Sequence, residues 1–142
     1  MIQAVLFAII AAISFGLYST FQDLGSKNIS TLLGAMIISL TALILGFLFF
    51  LFKVMPINIH PSPKSIIFLV LAGLFAFGID IFALKAYGSG LPISIGGPII
   101  IGGSIVVASI VGLILGETLS LSKIAGILLV VIGVCILSSL VK

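Results

Sequence analysis

The sequence predicts an all-α membrane protein, a bundle of five transmembrane helices, and three observations carry that prediction. First, 62% of the 142 residues are hydrophobic and only 6% are charged, against roughly 25% charged in soluble domains. A domain this small must cover itself with polar side chains to dissolve, and here they are too few, so the apolar surplus faces lipid. Second, five apolar runs approach the roughly 20 residues that a helix needs to cross the hydrocarbon layer. They are Gln3–Phe21, Thr31–Phe52, Ser65–Leu84, Pro92–Leu115 and Ile124–Val141. Third, most of the six lysines and three acidic residues fall in the gaps between these runs. Nothing is left over for a soluble domain, so residues 1–142 are expected to form a single transmembrane unit.

The first run has no basic segment before it, and Phe21 and Asp23 follow it where a cleaved signal would carry small residues. It is therefore expected to be retained as a span. Ala4, Ala8, Ala12 and Gly16 form a small-residue stripe at spacing four, the pattern that lets helices approach in lipid. Ser14 and Tyr18, also four apart, put two hydroxyls on one face, available to a substrate or to another helix. Asp23 and Lys27 read as an exposed pair at the end of this span. After the second run, Pro56, Pro61 and Pro63 interrupt any helix across Lys53–Lys64. His60 lies among these prolines without companion ligands, so no metal site is expected.

Asp80, inside the third run, is the most informative residue. An acidic group at mid-helix costs about 2.5–3.5 kcal/mol on insertion, which the apolar residues of the run outweigh. Asp80 is therefore expected to turn from lipid toward the bundle interior, on one stripe with Ala76, Ala83 and Tyr87. Lys85 is a poor partner, because five residues separate the two by about 140° around the axis. An intramembrane acid without a partner is a candidate proton carrier; a protonated Asp80 bonded to a neighbouring helix, or an interface that reaches slightly deeper, is the alternative.

The fourth run holds Gly96, Gly97, Pro98, Gly102 and Gly103 in its first half. Proline removes a helical hydrogen bond and glycine lowers helix propensity. Two readings fit. Either the helix is broken at Gly97–Pro98 beside a substrate route, or it starts at Pro98 with Gly96–Gly97 in the entry loop. In the fifth run Gly126 and Gly133 face the same way, nearly two turns apart, and suit a helix–helix or dimer contact. Cys135 is the only cysteine, which excludes an internal disulfide or a thiolate metal site.

Five alternating spans place Lys53, Lys64 and Lys123 on one side and Lys27, Lys85 and Lys142 on the other. Topology normally follows a Lys/Arg imbalance between the sides, and here there is none. This balance permits insertion both ways, hence an antiparallel homodimer that forms an inverted-repeat transporter from two copies. A single orientation with a separate partner chain is the alternative. No serine–histidine–acid set, metal-ligand cluster or phosphate-binding loop occurs, so no enzyme, cofactor or metal is expected, and no nucleic-acid partner.

The segment Leu115–Gly116–Glu117–Thr118–Leu119–Ser120, followed by Lys123–Ile124–Ala125–Gly126 and Ile132–Gly133–Val134, resembles the C-terminal signature of EamA-like domains of the drug/metabolite transporter superfamily. The whole chain looks like one five-helix unit, which many members carry twice in inverted orientation. The Gly126–Ile132–Gly133 stretch is similar to the dimerisation helix of small multidrug resistance proteins. Those proteins carry a glutamate within the first span, which this chain lacks, so their antiport mechanism does not transfer. The motif has a plain physical reading: Glu117 ends one helix, Ser120 or Ser122 caps the next, and a tight hairpin results.

The resemblance implies secondary transport of small metabolites, amino acids or drugs, export above all, with an EamA-like partner chain or a second copy completing the unit. Asp80, Tyr87, Tyr18, Ser14, Gly97 and Pro98 are the candidate pathway residues. Glu117 and Ser120 are the hairpin motif, and Gly126 and Gly133 the packing seam. The partners expected are the lipid bilayer and a small-molecule substrate. A non-transporting membrane subunit and a passive channel are the alternatives. With no targeting extension read at its start, a multi-pass protein of a prokaryotic inner membrane is the simplest expectation.

Overall fold

A computed structural model describes residues 2–55, 61–118 and 120–139. Pro56, His60, Leu119, Val141 and Lys142 lie outside the described residues, and with them the expectation for His60 and the end of the fifth run. Five helices follow in order: α1 (Ile2–Gly25), α2 (Thr31–Leu51), α3 (Pro63–Gly88), α4 (Ile93–Ile114) and α5 (Leu121–Ser138). All five are long and apolar enough to cross a membrane. With 18 to 26 residues each, they span about 27–39 Å, against a hydrocarbon layer of about 30 Å.

The helix ends follow local chemistry. Ser30, Ser62 and Ser120 cap α2, α3 and α5, each accepting a backbone N–H three residues on, a donor that has no partner within the helix. Pro63, expected to break the chain, instead opens α3 directly after its cap. A proline's missing N–H costs nothing in the first turn, where that donor has no helical partner. Two runs also extend further than their apolar residues suggest. α1 continues past Phe21 to Gly25, and α3 past Leu84 to Gly88.

The fourth run is neither broken at Gly97–Pro98 nor begun at Pro98. α4 begins at Ile93, after Pro92, and passes through Gly96, Gly97 and Pro98 without a break. Pro98, inside α4, withdraws the donor for the Ser94 carbonyl, and the backbone nevertheless continues as helix.

α2 packs along α3 and α4 along α5, so the chain forms two hairpins, and α1 joins them by touching α3 and α4. Burial gathers at one end of this arrangement. Ser19, Gln22, Ser26, Gly34, Ala35, Asp80, Ala83, Leu84, Tyr87, Gly96 and Gly97 are buried, and all lie where α1 and α3 finish and α2 and α4 begin; the other buried residues described are two glycines of α4, Gly102 against α5 and Gly112 under Glu117. At the other end α1, α2 and α3 stand exposed, with no buried residue over 3–14, 39–51 or 63–76. The chain exposes 10994 Å² in all, where a compact protein of its mass would expose roughly 6900 Å². The bundle is closed at one end and open at the other.

Small residues make the closed end. A side chain added at Gly34 would stand 2.8 Å from Leu84 Cδ1. One at Gly96 would stand 2.6 Å from the Tyr87 ring. Such approaches supply the van der Waals packing that holds helices together where lipid gives no hydrophobic drive. The Ala4–Ala8–Ala12–Gly16 stripe, by contrast, is exposed along its whole length.

Candidate functional site

The closed end is built around polar side chains from α1 and α3. Asp80 is only 5% exposed. It shares its buried face of α3 with Ala83 and Tyr87, while Ala76, expected on the same stripe, is exposed. The partner of Asp80 is Gln22 of α1, itself 4% exposed. The Gln22 amide donates from Nε2 to Asp80 Oδ1 at 3.1 Å and to the Tyr18 hydroxyl at 2.8 Å. An ionised carboxylate only accepts, so the amide NH₂ must face it, and its two hydrogens serve these two acceptors. Tyr18, Gln22 and Asp80 thus form one hydrogen-bonded chain across the α1–α3 contact.

Asp80 has no cation beside it among the described residues. The one ion pair there is Lys123–Glu117, at 3.4 Å, on other elements. Lys85 is exposed, as its angular offset from Asp80 predicts. α2 and α4 carry no charged residue at all. Asp23 and Lys27 form no ion pair.

Tyr87 lies two turns beyond Asp80 on α3. Its ring comes close to α4 at Gly96, and its hydroxyl is buried without a hydrogen-bond partner among the described residues. The Ser19 hydroxyl of α1 approaches it without completing a bond. Ser14, proposed as Tyr18's companion, is exposed and donates to the Ile10 carbonyl of its own helix at 2.9 Å. The structure therefore joins Tyr18 and Asp80, holds Tyr87 on the same buried face of α3 two turns further on and leaves Ser14 apart.

Two clefts flank this junction. One, of about 470 Å³, opens between α1 and α2 over Leu84 of α3, and Tyr18 and Gln22 line it. The other, of about 400 Å³, lies between α1, α4 and α5 and is lined by Ser19, Gly97, Pro98 and Gly133. Gly97 and Pro98 therefore face a groove that also receives a polar group of α1.

The α4–α5 hairpin stands apart from these groups. Gly116 takes a φ of +90°, open to glycine at no steric cost, and the Glu117 N–H then donates to the Gly112 carbonyl at 2.9 Å to close α4. Ser120 Oγ accepts from the Lys123 N–H at 3.2 Å and starts α5. The Glu117 carboxylate rests over Gly112, where an added Cβ would come within 3.2 Å of it. Lys123 and Glu117 are both more than half exposed, so their pair adds little stability. Gly126 and Gly133 have nothing within 4 Å of where a side chain would begin; α5 meets α4 instead through Val130 and Val134 against Gly102.

Gln22 is the residue that sequence reasoning missed. Ending the first span at Phe21 puts Gln22 outside the membrane, where an amide is unremarkable. The signal that finds it is the polar stripe Ser14–Tyr18–Gln22–Ser26 at spacing four, which continues the helix to Gly25 on one face.

Neither comparison with curated proteins nor comparison with solved structures found a match. The model of the EamA-like transporter family matches residues 2–139, all five helices included. The chain belongs to the EamA-like transporter family, a family of membrane transporters and not of enzymes.

Proposed function

We propose that the chain is a secondary transporter of small metabolites, amino acids or drugs that works by alternating access and exports across the cell membrane. Asp80 is its coupling group, with Gln22 and Tyr18 bonded to it in a chain and Tyr87 and Gly97–Pro98 along the route. The observation that carries this reading is the buried acid at the closed end, tied to α1 by one neutral amide and matched by no cation among the described residues. A purely structural polar contact does not need a charge, and burying one is expensive.

The unit works as a pair, either two antiparallel copies or one copy with a second EamA-like chain. The open end supports this. The exposed surface exceeds that of a compact chain by roughly 4000 Å², while a standard interface buries about 1200–2000 Å² over both partners. The balance of lysines between the two sides supports the antiparallel form.

The test is gradient-driven flux in proteoliposomes. Asp80→Asn keeps the acceptor for Gln22 and removes the charge, so it should abolish flux while leaving the helical content and the elution profile unchanged. Unchanged flux would reject Asp80 as the coupling group. Failure of the unaltered protein to move any solute, with a second protein co-purifying in fixed ratio, would reject the transport reading itself. For the pair, thiol labelling of cysteines placed at each terminus in intact cells should reach each terminus from both sides.

A further inference from the structure

The cleft between α1 and α2 carries chemistry of its own. Phe21, Ile29, Ile37, Ile38 and Leu45 wall it, and its volume of about 470 Å³ is far larger than a bare ion requires. Of its polar groups, Thr41 is already engaged with the Ile37 carbonyl at 2.8 Å. That leaves Tyr18 and Gln22; Asp80 is not on the cleft wall itself but is hydrogen-bonded to Gln22, which is.

The hydrogen bonds at this point are unbalanced. Gln22 spends both amide hydrogens, one on Tyr18 and one on Asp80 Oδ1. Asp80 Oδ2 accepts nothing among the described residues, yet it is not sealed off as the Tyr87 hydroxyl is. A carboxylate offers about four lone-pair sites, and a single neutral donor leaves it far short of satisfied. No described residue supplies the counter-charge, and a cationic solute would bring one. Apolar walls select for hydrocarbon beside that charge, and the Tyr18 and Phe21 rings offer faces that attract a cation.

We propose that this cleft binds a protonated amine carried on an apolar body, and that its ammonium displaces the Gln22 amide from Asp80. An ammonium has three donors where the amide has one to spare for Asp80, and it brings the missing charge. Gln22 is then the placeholder that keeps the site closed when empty. The inference rests on reading Asp80 as a pathway group and names the class of solute that the pathway takes.

The test is equilibrium dialysis of the full chain in detergent with 4-phenylbutylamine and 4-phenylbutan-1-ol, subtracting uptake by protein-free micelles. The two probes share one apolar body and differ in charge. The amine should bind at least tenfold tighter than the alcohol. Asp80→Asn should reduce the amine to the level of the alcohol, and Gln22→Ala, by removing the competitor, should leave its binding equal or tighter. Equal binding of the two probes by the unaltered protein, or no binding of either, overturns the proposal, and this comparison needs no variant to fold. A Gln22→Ala protein that folds but loses the amine would also overturn the displacement. If amine binding fails while another solute is still transported, only this inference falls. If the amine binds and nothing is transported, only the transport reading falls.

Discussion

The two ends of the bundle are made of the same helices and behave as different materials. At the closed end glycine and alanine bring α2, α3 and α4 together around the hydrogen-bonded chain Tyr18–Gln22–Asp80. At the open end the same helices carry bulky residues such as Phe7, Phe50, Phe68 and Phe75, all exposed, and nothing draws them together. In lipid, apolar side chains gain nothing by leaving the tails for each other. Association therefore follows small residues and polar bonds, and these are concentrated at one end. Hydrophobicity inserts the five helices, and a short list of glycines and polar groups decides where they meet.

That contrast can be broken by substitution. Gln22→Leu should be the most damaging change, because it leaves the buried Asp80 and the Tyr18 hydroxyl without their donor. Stranding a buried polar group costs about 1–3 kcal/mol, and more where it is charged. Denaturant unfolding in mixed micelles would measure it, and a loss below 0.5 kcal/mol (about the spread of neutral surface changes) would show that the chain of bonds does not hold the closed end. Gly96→Ala comes next. Its Cβ would meet the Tyr87 ring at 2.6 Å and Leu91 at 3.0 Å, and Tyr87, 2% exposed, has nowhere to retreat. Overpacking of this kind costs about 1–3 kcal/mol.

Ser120→Ala removes the cap of α5 and should cost about 1 kcal/mol, an effect confined to the α4–α5 hairpin and without consequence for Asp80. The smallest effect has the opposite sign. Gly73→Ala, at the open end, meets nothing within 4 Å and should stabilise the isolated unit by about 0.5–1 kcal/mol through helix propensity. The same glycine-to-alanine exchange would then destabilise one end and stabilise the other. If Gly73→Ala instead weakened a dimer in chemical cross-linking, the open end would be the place where the second unit packs.

Much of this was legible in the sequence. Five apolar runs give five helices, because each is long enough to cross the bilayer and is separated from the next by polar or turn residues. Asp80 was legible as an inward-facing group, because its charge forbids any other placement. What the sequence concealed follows from one habit of reading, which equates the end of hydrophobicity with the end of a helix. α1 and α3 each continue about a turn further, and that extra turn carries Gln22 and Tyr87, half of the junction. Prolines misled for a related reason. Pro63 stands at the first position of α3, where a proline is tolerated, and Pro98 sits inside α4, which continues through it at the loss of one backbone donor. The Gly126–Gly133 face shows a different limit: spacing reveals a seam, but only a partner reveals what it packs against.

Under the proposed alternating-access cycle the closed end has to open during transport. An added Cβ on Gly88 would lie 3.9 Å from Ser26 Cβ, within the roughly 3.5–4.5 Å that a disulfide bridges. In a Cys135→Ser background, Ser26→Cys with Gly88→Cys should therefore cross-link α1 to α3 on mild oxidation. The decisive measurement is flux in proteoliposomes before and after reduction of that bond. The account predicts flux blocked while the bridge is intact and restored by a reductant; full flux through the bridged protein would contradict it.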